Sequence, residues 1–205
     1  MLQGLDGVFP GIQEGGQEVR PRKFRQMEFR DLLVELIQLL QPGVYCEVGV
    51  KRGYTFNTIA PLVGLAIAVD VMPLDCIEKP LPGRKIKKYR MTSDDFAKKY
   101  KGPPIDFLFI DADHRRDQVT KDVLQIGRHV RDQTGLIFLH DTYPVVPELA
   151  VPGYCHNAWE AAEYFHKHGA EYGLEIVTLP GPWAGLSIMR KVEAGHLHWR
   201  SNEAA

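Results

Sequence analysis

A strand-like run that breaks on two glycines, VYCEVGVKRGYT at residues 44–55, constrains this chain more than any other stretch. Val44 to Val48 is apolar enough for a buried strand, Gly49 and Gly53 supply a turn, and a helix is expected to open at about Tyr54. Gly49 frees the backbone to leave the strand where a β-carbon would be crowded, and Gly53 lets the helix start approach a ligand or the strand. Glu47 then stands near the strand's carboxyl end, where open α/β sheets place their ligands. A carboxylate there repels a pyrophosphate but suits an ammonium, a sulfonium or hydroxyl groups. The spacing Glu-x-Gly-x-x-x-Gly lacks the second glycine of G-x-G-x-x-G and is not a phosphate-binding G-x-x-x-x-G-K-[ST] loop. The plain alternative is a strand-turn-helix junction with an incidental acid.

The rest of the chain repeats that alternation. Phe29, Leu32, Leu33, Leu36, Ile37 and Leu40 recur at helical spacing until Pro42-Gly43 stops them, which predicts an amphipathic helix over 27–40. LAIAVD, Leu65 to Asp70, is a second buried strand, and its terminal acid lies about twenty residues past the glycine turn, where a βαβ unit binds ribose hydroxyls. Lys85 to Met91 reads as an edge strand whose lysines discourage further pairing, followed by a helix with Thr92 or Ser93 as N-cap candidate. Phe107 to Ile110 is apolar and ends in Asp111, Asp113 and His114, with Asp113 also placed to cap the helix expected from Arg115. Gly135 to Leu139 ends in His140-Asp141, a long Pro-rich connection follows over 142–155, and a helix and a closing pair of strands complete the pattern.

Alternating strands and helices with short connections predict an α/β, doubly wound, mostly parallel sheet of seven strands, with an N-terminal helix. The division expected is an arm over 1–26, a domain over 27–191 and a tail over 192–205, with both ends available for contacts between copies of the chain. A net charge of −1 gives no reason to expect nucleic acid, and no window approaches eighteen apolar residues, so neither nucleic acid nor membrane is an expected partner. Three cysteines without a C-x-x-C pair, Cys46, Cys76 and Cys155, read as reduced thiols in a cytoplasmic protein.

Such a sheet gathers Glu47, Asp70, Asp94, Asp111, Asp113 and Asp141 at its strand carboxyl ends, where they repel one another unless cations sit among them. The first two strands offer acceptors for a nucleoside, while Asp111 and Asp141 can converge on one hard cation such as Mg2+.

With these motifs in order, the chain resembles the class I S-adenosylmethionine-dependent methyltransferases. Within them it is similar to the metal-dependent O-methyltransferases of the catechol and caffeoyl-CoA type and to the macrocin O-methyltransferase and cephalosporin hydroxylase-like branch. CEVGVKRGYT stands for the glycine motif, AVD for the ribose acid, MTSDD for the adenine turn, FLFIDADH for the metal strand and GLIFLHD for the next strand. The resemblance covers roughly residues 28–190. It implies that Glu47, Gly49 and Gly53 face the methionine moiety, Asp70 the ribose, and Thr92, Ser93 and Asp94 the adenine, with Asp111 and Asp113 beside the cofactor. It also implies a divalent metal, Mg2+ or Mn2+, on Asp111, His140 and Asp141, and it places the family's catalytic lysine on His114. His140 departs from the family's Asp, and imidazole favours transition metals over Mg2+.

The expected activity is therefore transfer of the sulfonium methyl group to a hydroxyl of a small molecule. Tyr143, Trp159 and Trp183 are the acceptor-binding candidates, since their flat faces suit a ring. Two other readings remain open at this level: a metal-dependent phosphohydrolase, suggested by D-x-D-H and H-D doublets, and a cofactor-binding protein of the same fold without transferase activity.

Overall fold

The computed structural model of the 205-residue chain describes residues 28–181 and 184–192. The arm over 1–26, Trp183 and all but the first residue of the tail lie outside the described residues. Helix α1 (Phe29–Leu40) leads into strand β1 (Val44–Val48), and the glycine turn delivers the chain to the short helix α2 (Tyr54–Ile59). A 3₁₀ turn at Ala60–Leu62 takes up Pro61 before β2 (Leu65–Asp70). The order continues β3 (Lys85–Arg90), α3 (Ser93–Lys99), β4 (Phe107–Ile110), α4 (Arg116–Gly127), β5 (Leu136–His140), α5 (Ala158–His168), β6 (Leu174–Leu179) and β7 (Leu186–Lys191).

These strands form one seven-stranded sheet in the order β3-β2-β1-β4-β5-β7-β6. The first five are parallel, and β7 runs antiparallel to both its neighbours. The doubly wound, mostly parallel architecture expected from the sequence is thus present, and Lys85–Arg90 is the edge strand its lysines signalled. The strand order reverses direction between β1 and β4, so the carboxyl ends of β1, β2, β4 and β5 open onto a crevice at that switch point.

Side-chain alternation divides the core into two layers. Cys46, Val48, Ile67 and Leu108 face α3, α4 and α5, packing with Phe96, Val123 and Phe165. Tyr45, Phe107, Phe109 and Phe138 face α1 and α2, packing with Leu33, Ile37, Phe56 and Ile59. β1 is buried along its whole length because both faces are covered, which explains why all but Glu47 of its residues read as apolar.

Candidate active site

The crevice encloses about 930 Å³. It is lined by Gly49 and Lys51 from the glycine turn, Asp70 after β2, Thr92, Ser93 and Asp94 at the start of α3, Asp111 to Arg115 after β4, and His140-Asp141 after β5. Each set comes from a different strand's carboxyl end, so the sheet register brings together residues as remote in the chain as Gly49 and Asp141.

Gly49 is a close-packing device. Its φ is +92°, and a β-carbon built on it would stand 2.2 Å from the carbonyl oxygen of Asp111 and 2.6 Å from the Cα of Ala112. Both are backbone atoms that cannot swing aside, so the β1 and β4 exits touch only because residue 49 lacks a side chain. Gly49→Ala is expected to cost on the order of 2–4 kcal/mol of stability in chemical denaturation, and a midpoint unchanged from the parent would refute this packing.

At the β2 end, Asp70 Oδ2 accepts the backbone N–H of Lys51 and Oδ1 that of Met72, each at 2.8 Å. The two bonds fix the carboxylate while each oxygen keeps a free lone pair for a ligand hydroxyl. Thr92 is the N-cap of α3, with Oγ1 accepting from Asp95 N–H at 3.1 Å. Asp94 is paired with Lys121, whose bond holds its carboxyl below the usual range.

At the β4–β5 end, Asp111, His114 and Asp141 each present a ligand atom within 4.8 Å of the others. His114 Nε2 lies 3.2 Å from Asp111 Oδ1, while Nδ1 meets the carbonyl of Tyr154 and lies 3.4 Å from Asp141 Oδ2. With acceptors at both nitrogens the imidazole is best satisfied as a cation, and its pKa is raised, first by the bond to Asp111. Burial alone would raise the Asp111 carboxyl, but the imidazoles of His114 and His140 outweigh it and bring the value down to about 2. Asp141 reaches this cluster through a left-handed turn at φ +59°, a conformation Asp tolerates better than most residues. Asp113 accepts the Arg115 backbone N–H and guanidinium, but the N-cap of α4 is Arg115 with no side-chain cap bond, so Asp113 does not cap that helix as expected.

Four further expectations need correction. Glu47 does not open into the crevice: alternation along β1 puts it on the Tyr45 face, where it is 1% exposed and accepts the Tyr45 hydroxyl at 2.5 Å. Burial pushes its pKa well up, and the bond from the Tyr45 hydroxyl works against that rise. Gly53 is likewise outside the crevice lining; it starts α2 at φ +77° against Asn57 and Cys76. His140 lines the crevice but is not in the convergent trio, because β5 alternation turns its ring onto Phe29, 4.3 Å between centroids, and towards Phe109. Its Nδ1 is 3.1 Å from Asp141 Oδ1 and 3.5 Å from Asp111 Oδ1, yet among the described residues neither ring nitrogen has an aligned hydrogen-bond partner, so these contacts are ionic. Burial pulls its pKa down, and the two carboxylates override that and lift it to about 9. His140 is thus a half-buried imidazole that offsets the two acids, where the sequence led to the expectation of a metal ligand.

The fourth concerns the aromatics. Tyr143 and Trp159 line a separate cavity of about 460 Å³ between the 142–150 connection and α5, not the acid cluster. The residues facing the cluster from that connection are Leu149, Gly153, Tyr154 and Cys155. The sequence carried a signal for them, since a long connection after a strand's carboxyl end is where function concentrates, but nothing in it distinguished Tyr154 from Tyr143.

Asp111, His114 and Asp141 form a donor set of two carboxylates and one imidazole, which fits one divalent cation of the Mn2+ or Zn2+ kind as well as Mg2+.

Residues 46–142 match a family model described as a methyltransferase domain. Comparison with curated proteins found no match. Among solved structures, the O-methyltransferase from Bacillus cereus in complex with SAH is 16% identical, with 87% of this chain and 84% of that one covered and a TM-score of 0.62. The SAH-bound methyltransferase PaMTH1 of Podospora anserina is 13% identical over 82% and 81%, with a TM-score of 0.64. The O-methyltransferase TomG from Streptomyces achromogenes, involved in tomaymycin synthesis and solved with SAM, is 14% identical over 80% of each chain, TM-score 0.56. At such identities the likeness is one of fold.

Proposed function

We propose that this chain, whose residues 46–142 match a methyltransferase-domain model and whose fold is that of the class I methyltransferases, transfers the sulfonium methyl group of S-adenosylmethionine to a hydroxyl of a small molecule, with a divalent cation on Asp111, Asp141 and His114. The observation that carries the reading is one crevice with a fixed nucleoside acceptor, Asp70, at one end and the convergent trio at the other. Methyl transfer is an in-line displacement, so fixing the ribose at Asp70 and the acceptor at the trio, with the methyl group carried against the acceptor oxygen, supplies much of the rate.

A cation bound by the trio would lower the pKa of the acceptor hydroxyl and orient it. The chain's own residues do the remainder: Asp70 fixes the ribose, Gly49 lets the β1 and β4 exits pack against each other, and Tyr154 and Leu149 border the acceptor end. A phosphohydrolase reading leaves Asp70 and the α3 turn without a role.

Calorimetric titration with S-adenosylmethionine and its demethylated product, with and without Mn2+ or Mg2+, tests this reading. Absence of binding would remove it, and binding without methyl transfer to any hydroxyl acceptor would leave a cofactor-binding protein. Asp70→Ala is expected to weaken cofactor binding by about tenfold to a hundredfold, since charge-assisted bonds of this kind contribute roughly 1.5–3 kcal/mol. An unchanged dissociation constant would put the ribose elsewhere.

A further inference from the structure

The crevice contains a polar side chain that the reaction above does not use. Gln118, on the inward face of α4, lines the crevice opposite the start of α3, and every hydrogen bond it makes to a described residue uses its nitrogen. Nε2 donates to Asp122 Oδ1 at 2.8 Å and to Ser93 Oγ at 3.2 Å, with Asp94 Oδ1 at 3.5 Å. Asp122, one turn along, is 1% exposed, and its second oxygen has no hydrogen-bond partner among the described residues.

A carboxylate accepts and cannot donate, so Asp122 dictates which end of the Gln118 amide faces it. The nitrogen is held towards Asp122 and Ser93, and the carbonyl oxygen of this crevice-lining residue is left without a hydrogen bond among the described residues. Burying an acid for this purpose is costly, and burial indeed pushes the Asp122 carboxyl up to about 6, leaving it mostly ionised at neutral pH.

We infer that Gln118, oriented by Asp122, is the residue that reads the base of the cofactor, its carbonyl accepting the exocyclic amino group of adenine. This rests on the proposed cofactor and adds a selectivity to it. The reacting methyl must lie at the Asp111–His114–Asp141 end, and the ribose at Asp70, so the base extends to the opposite end, against Met91 to Asp94, where Gln118 stands. An amino group at position 6 of the purine satisfies the carbonyl. An oxo group there, as in hypoxanthine, sets two acceptors against each other and leaves both unpaired.

The test compares the binding of S-adenosylhomocysteine and its deaminated analogue, S-inosylhomocysteine, by calorimetry. The parent protein is expected to prefer the adenosine compound by about thirtyfold or more. Gln118→Leu should weaken S-adenosylhomocysteine by about tenfold and reduce the preference to within a few fold. Asp122→Asn, which no longer dictates the amide's orientation, should narrow it partway. Should Gln118→Leu lose cooperative thermal unfolding, Gln118→Met replaces it. A preference that survives in the Gln118 variant but collapses in Asp94→Asn would overturn the inference and give the base to Asp94, with the cofactor reading intact. Failure of the parent to bind S-adenosylhomocysteine at all would instead strike at the cofactor itself.

Discussion

Asp141→Ala is expected to abolish Mn2+ binding and to bring methyl transfer down to the rate seen in excess chelator, while cofactor affinity stays within a few fold of the parent. The residue is one of three convergent donors at the β4–β5 end, whereas the Asp70 carboxylate is held separately by Lys51 and Met72. Removing it leaves Asp111 and His114, two donors of the three. His114 and His140 already offset the two carboxylates, so the trio without a cation is not a bare cluster of negative charge. A cation must therefore compete with the proton on His114, whose pKa is raised by Asp111. The sign follows: binding releases a proton, so Mn2+ affinity rises as pH rises through the His114 titration and levels off above it. Electron paramagnetic resonance of added Mn2+, read across that range, needs no acceptor substrate. An affinity that falls with pH, or Mn2+ bound equally well by Asp141→Ala, would break the assignment of this trio.

The second large effect concerns His114. Its ring lies among Asp111, Asp141 and the Tyr154 carbonyl, three positions past the end of β4, at the acceptor end of the crevice. His114→Gln preserves size and hydrogen bonding but removes both the proton acceptor and the imidazole ligand. Turnover is expected to fall by about a hundredfold or more, with little change in cofactor binding. The accompanying measurement separates the two roles. Unchanged Mn2+ affinity in the variant marks His114 as the base, whereas loss of the metal marks it as a ligand, which the convergent geometry favours. Parent-like turnover would assign neither role.

The resemblance read from the sequence holds at the level of fold, with residues 46–142 matching a methyltransferase-domain model, and the reason lies in which features are local. Val44 to Val48 and Leu65 to Asp70 announced themselves because strands covered on both faces are apolar at nearly every position, Glu47 and the terminal Asp70 excepted. Gly49 was legible because the turn requires a positive φ, and Asp70 because its distance from that turn is set by one βαβ unit.

What the sequence by itself determined, then, was the order of elements and which residues stand at strand ends. Direction was decided only by the tertiary structure. Glu47 and His140 occupy the right ends of the right strands, but period-two alternation turns one beneath α2 towards Tyr45 and the other onto Phe29 of α1. Asp141, one residue further, reaches the crevice because the chain reverses at a left-handed turn. His114 joins the trio through the geometry of the β4 exit, Tyr154 through the path of the 142–155 connection, and Gln118 through the packing of α4 on α3. Each of these depends on contacts between residues remote in the chain, and a periodic pattern along the chain carries no record of them.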